Sequence, residues 1–181
     1  MERVMDYTGE LRYADTQTTE MCLDAVRKDW RALYFVKEQT PEICLEAVRS
    51  FGKSLLFVKE QTPEICREAL KNDIGAYEFV ENKTPELSLE LVKIDGEMLE
   101  FVEEQTEEIC LAAVKRDPSA LQWAKKQTEE MCLIAVKSYG MNLGFVEKQT
   151  EEICIAAVKE SEYALSYVKP EFMDACLAAL D

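Results

Sequence analysis

The sequence predicts an all-α fold, an α-solenoid of about eight 22-residue helix-turn-helix repeats, and three observations predict it. Cysteines stand at 22, 44, 66, 110, 132, 154 and 176, every one a multiple of 22, with Ser88 at the remaining position of the series. The segment Gln39-Thr40-Pro41-Glu42-Ile43-Cys44 recurs as Gln61-Thr62-Pro63-Glu64-Ile65-Cys66 and as Gln105-Thr106-Glu107-Glu108-Ile109-Cys110, with no insertion between Gln17 and Val168. Nothing in the chain alternates apolar and polar residues as a strand would.

Each repeat opens on a helix whose start and stop are written in it. Threonine stands at the N-cap, and its side-chain oxygen can accept from an orphan backbone N–H. Proline follows at N1 in Pro41, Pro63 and Pro85, where its missing N–H costs nothing. An acid occupies N2 in every repeat from Glu20 to Asp174, and a Lys or Arg closes most segments, each charge facing the favourable end of the helix dipole. Ile65, Cys66, Ala69 and Leu70 form the apolar face, so a helix over 63–72 is expected.

A turn carrying Gly52, Gly96, Pro118 or Gly140 comes next. It leads into a second helix of seven or eight residues, with Leu55, Phe57 and Val58 expected in the core. A helix this short is marginal alone, so its stability must come from stacking on neighbouring repeats. The expected organisation is a single repeat domain over 1–181. Residues 1–16 are a partial repeat in which Val4 and Leu11 keep register, residues 17–168 are regular, and residues 169–181 form a capping helix. That last helix loses its threonine cap to Phe172 and is alanine-rich. It can serve as a lid or as an apolar end for self-association, a homodimer through the C-terminal repeat.

Composition narrows the function. The 181 residues include 36 acids, 21 bases and no histidine, a net charge of −15. Lack of histidine removes Ser-His-Asp, Cys-His and His-metal chemistry. The charge opposes direct binding of DNA or RNA. No apolar run is long enough to span a membrane, and the N-terminus lacks the apolar core of a signal peptide. The cysteines have no C-x-x-C pairing for zinc, read as small core residues, and imply a reducing, cytoplasmic setting. The aromatic register Tyr13, Phe35, Phe57, Phe79, Phe101, Trp123, Phe145 and Tyr167 is likewise expected in the core. No catalytic residue, cofactor or metal is expected.

Charge is uneven where the repeat leaves residues free. Between Glu78 and Glu108 stand 11 acids and two bases, so 31 residues hold −9 of the −15. Glu78, Glu81, Glu97, Glu100, Glu103 and Glu104 are therefore the expected partner-binding residues. If the second helices stack in parallel, Glu78, Glu81, Glu100 and Glu103 repel at short range, which a fold would not select for itself. The expected partner is a protein with a basic surface. A narrower reading makes the chain an inhibitor of a nuclease or defence complex that mimics nucleic acid in a basic groove.

The Gln-Thr-Pro-Glu-Ile-Cys-Leu-Glu-Ala-Val unit at 39–48, with the Phe57-Val58-Lys59-Glu60-Gln61 step before its next copy, resembles tandem repeats of bacterial, phage and giant-virus proteins grouped as a domain of unknown function. Its layout is also similar to leucine-rich-variant repeats, and that likeness implies a right-handed superhelix. The resemblance implies no catalytic residue.

Overall fold

The computed structural model describes residues 11–180, so the expected match of Val4 to Val26 lies outside the described residues. Every described element is helical, and the repeats fall into two units, 1–83 and 84–181.

In the first unit the α-helices are α1 (Thr19–Lys28), α2 (Pro41–Ser50) and α3 (Pro63–Asn72). Each begins where the threonine cap predicts: Thr62 Oγ1 accepts from Ile65 N at 3.3 Å. Ile43, Cys44, Ala47 and Val48 are buried on α2, and the equivalent residues of α3 repeat the pattern. The second unit holds α4 (Pro85–Ile94), α5 (Glu107–Arg116), α6 (Glu129–Ser138), α7 (Glu151–Glu160) and α8 (Met173–Ala178). The terminal α8 packs on α7 and buries Cys176, while Leu177 stays exposed. Phe172 gives it no side-chain cap.

The second element of each repeat is a 3-10 helix of six residues, not the longer helix expected from sequence, as at Gly52–Phe57 and Gly96–Phe101. Short connectors favour this tighter winding, and three residues per turn put i, i+3 and i+6 on one side. Gly52, Leu55 and Val58 are indeed buried together, as are Gly96, Leu99 and Val102. That winding turns the aromatic register outward. Phe57 is half-buried, and Phe101, at 56% exposure, lies at the surface, so these rings are not the core residues expected.

Glycine is needed for close approach rather than for its dihedral freedom, since no described residue has a positive φ. A Cβ at Gly52 would stand 2.5 Å from the Ala69 carbonyl oxygen. Its N–H instead donates to Asn72 Oδ1 of the next repeat at 2.7 Å.

The repeats are joined by a glutamine that the sequence did not single out. Gln39 Nε2 donates to Leu33 O in its own neighbourhood at 3.2 Å and to Phe57 O of the following 3-10 helix at 2.8 Å. Its Oε1 accepts from Lys59 N at 3.0 Å and from the Cys44 thiol at 3.7 Å. Gln105 repeats all four bonds, to Leu99 O, Trp123 O, Lys125 N and the Cys110 thiol. Cysteine is therefore a small apolar residue that also carries a weak donor for this clamp. At 83 and 88 the pair is replaced together by Lys83 and Ser88, and Lys83 Nζ lies over the Tyr77 ring. The boundary between the two units follows Lys83.

Candidate functional site

The residue two places before the clamp position, the register of Gln39, decides what the surface offers. Lys37 Nζ donates to Ala14 O at 2.9 Å, and Lys59 Nζ donates to Val36 O at 3.2 Å and Lys37 O at 3.1 Å. Lys125 Nζ reaches Glu103 O at 2.6 Å, and Lys169 Nζ reaches Glu147 O at 3.3 Å. At this register a lysine staples one repeat to the carbonyls of the one before it. The register is thus not indifferent to the fold, contrary to the sequence-based expectation.

Glu81, Glu103 and Glu147 occupy the same register and cannot make that bond, because a carboxylate only accepts. The backbone of Glu81 is still held, its N–H donating to Gln61 Oε1 at 3.0 Å. Its side chain is left exposed. Glu78 and Glu100 project from the carbonyl ends of Ile74–Phe79 and Gly96–Phe101, the end of a helix where a negative charge is disfavoured. Both are exposed, as are Glu103 and Glu104. None of these five carboxylates makes an ion pair among the described residues. Glu78 and Glu81 belong to the first unit, whereas Glu100, Glu103 and Glu104 belong to the second.

Glu97 is different. Its carboxylate accepts from Ser119 Oγ at 2.5 Å and from Trp123 Nε1 at 2.8 Å, and the residue is partly buried. It ties one 3-10 helix to the next within the second unit, so both of its oxygens are already committed.

The thiols face inward. Burial pushes the Cys44, Cys66, Cys110 and Cys132 thiols up from their ordinary value, which keeps them protonated. Cys154 is pushed up to about 11, first by burial and then by the neighbouring Cys176 thiol. All seven cysteines are free. Among the described residues no group of three or more Cys, Asp or Glu side chains is placed to hold a metal ion. Nor is any described helix long and apolar enough to cross a membrane.

Sequence reasoning found the exposed acids but missed the lysine staple that gives them meaning. The signal was there in the alternation of Lys and Glu at one register, and hydrogen bonds to backbone carbonyls are invisible in a sequence.

No curated protein and no solved structure matches this chain. A family model does match, over 84–128 and again over 128–173. Each match is two repeat periods long, so the unit that the family model describes is a pair of α-helices with their 3-10 partners. Residues 84–173 are therefore similar to two adjacent copies of a domain of unknown function (DUF4116), a tandem helical repeat.

Proposed function

We propose that the chain is a non-catalytic binding module whose exposed carboxylates hold a basic protein partner, with Glu78 and Glu81 contributing from the first unit and Glu100, Glu103 and Glu104 from the second. One observation carries this reading. At the register where Lys37, Lys59 and Lys125 strengthen the stack, Glu81 and Glu103 forgo the bond and present unpaired charge. Residues that weaken the fold at a position where the same protein uses a stabilising alternative are accounted for by recognition. In the finer form of the proposal the partner's basic surface is a nucleic-acid groove, and duplex DNA competes with the chain for it.

The test uses immobilised poly-L-lysine as the probe, with two variants of equal net charge. In one, Glu78, Glu81, Glu100, Glu103 and Glu104 become Gln. In the other, Glu20, Glu38, Glu42, Glu64 and Glu162, all exposed, become Gln. The first is expected to lose at least about tenfold in affinity and the second to lose little, both more weakly bound as salt rises. Equal losses would show that bulk charge alone is sensed and would overturn the assignment.

A further inference from the structure

The α-helices from α5 onward differ from α1–α4 on the face that the core does not use. In the first unit that face is closed by charge: Arg27 Nε pairs with Glu46 at 2.9 Å, Arg49 Nε with Glu68 at 3.0 Å, and Lys71 Nζ with Glu68 at 2.8 Å. The acid that receives these bases sits at the sixth position of each helix. In the second unit α4 keeps an acid there, Glu90, but from α5 onward the position holds Ala112, Ile134, Ala156 and Ala178. With Leu133 and Ile155 beside them, Ile134 and Ala156 make a continuous half-exposed apolar row across α6 and α7. An open groove of about 710 Å³ lies over its α7 part, lined by Lys137, Glu151, Glu152, Ile155, Ala156 and Lys159. The exposed Leu177 of α8 extends the row.

The edges of the row say what covers it. Positions i, i+3, i+4 and i+7 share one helix face, so Glu130 and Lys137 stand at opposite ends of the α6 stripe and Glu152 and Lys159 at opposite ends of the α7 stripe. Acids thus line one edge and bases the other, and on this exposed face Lys115 of α5 also pairs with Glu130 of α6 at 3.2 Å. A two-fold axis parallel to the direction of stacking lays two such faces together with their helices antiparallel. It sets the acidic edge of each copy against the basic edge of the other, over an apolar centre. The face is complementary to itself.

We propose that two copies of this chain pair through the α5–α7 face of the second unit. Three ten-residue helices, each about 15 Å long and spaced 8–10 Å apart, offer roughly 700–900 Å² in total across the pair, below standard specific interfaces and in the range of weak, transient ones. The dimer is therefore weak and reversible. Each copy carries −15, and exposed edge pairs contribute little, so screening the overall repulsion strengthens pairing as salt rises. That salt response is opposite in sign to the one expected for the acidic binding surface, so the two proposals fail separately.

Sedimentation velocity of the full chain over a concentration series in the micromolar range tests this. A reversible monomer–dimer equilibrium is expected. Ile134→Glu with Ile155→Glu should be monomeric at every concentration, with its helical circular dichroism unchanged. Lys137→Glu/Lys159→Glu and Glu130→Lys/Glu152→Lys should each be monomeric alone, because like charges then meet along both edges. Mixed in equal amounts, they should form a heterodimer. A wild-type chain that stays monomeric throughout, a dimer that survives the paired Ile substitutions, or a mixture that does not associate overturns the proposal.

Discussion

Lys59 and Glu81 stand one period apart at the same register, their backbone N–H groups accepted by Gln39 and Gln61 in the same way, yet only Lys59 reaches back to the preceding repeat. One register thus holds, within a single unit, a side chain that bonds to the preceding repeat and one that does not. The difference separates what the fold requires from what it tolerates.

Ser54 gives the sharpest test of the packing. Its hydroxyl is buried, with no hydrogen-bond partner, while Ala32, Ala76, Ala120 and Ala164 fill the same position and are fully buried. Ser54→Ala removes an orphaned polar group without leaving a cavity. It should raise the unfolding free energy by about 1 kcal/mol, measured as a shift of the urea midpoint with an unchanged slope. A destabilised variant would mean that the hydroxyl has a partner after all.

Gln39→Leu should cost on the order of 2–4 kcal/mol, because Leu33 O, Phe57 O and Lys59 N lose their partner at once. Amide exchange should accelerate first at Lys59 and at the neighbouring repeat. A loss under about 1 kcal/mol would demote the clamp to one contact among many.

Much of this was legible in the sequence. Thr62, Pro63 and the acid at N2 fix the start of a helix by local chemistry, and α3 begins at Pro63 as they require. The buried cysteines followed from their place on the apolar helix face, as Cys66 beside Ile65, Ala69 and Leu70. The 3-10 winding was not legible, since six residues are too few to separate a period of 3 from one of 3.6. The outward aromatics, Phe101 among them, were misplaced for that same reason. Gln39 reads as a polar loop residue until the structure shows carbonyls on both sides of it. The joint change to Lys83 and Ser88 was the one sequence trace of its bond to cysteine. For the acidic residues, sequence located Glu81 correctly as exposed but could not distinguish Glu97, whose two internal donors come from a later 3-10 helix.

The thiols predict a pH dependence. Cys154 is raised from 9.0 to about 11 by burial and by Cys176, so between those values the folded chain holds a proton that the unfolded chain has released. Stability is therefore fully present below about pH 9 and falls as pH rises towards 11. Cys154→Ala should flatten part of that decline in urea midpoints measured from pH 8 upward. Labelling by a thiol reagent at neutral pH should be slow in the folded chain and rapid in urea. Prompt native labelling of several cysteines would contradict their burial.

The most direct test of the account is to give the acidic register its lysines. Glu81→Lys should gain about 1 kcal/mol by offering an ammonium to the carbonyls of the preceding repeat, as Lys59 does. Combined with Glu103→Lys, it should also abolish binding to poly-L-lysine, while a charge-matched control at exposed positions outside that register, Glu38→Lys with Glu162→Lys, keeps most of it. A double variant at 81 and 103 that binds as well as the wild type, or that is less stable, would contradict the claim that these carboxylates stand where they do for recognition.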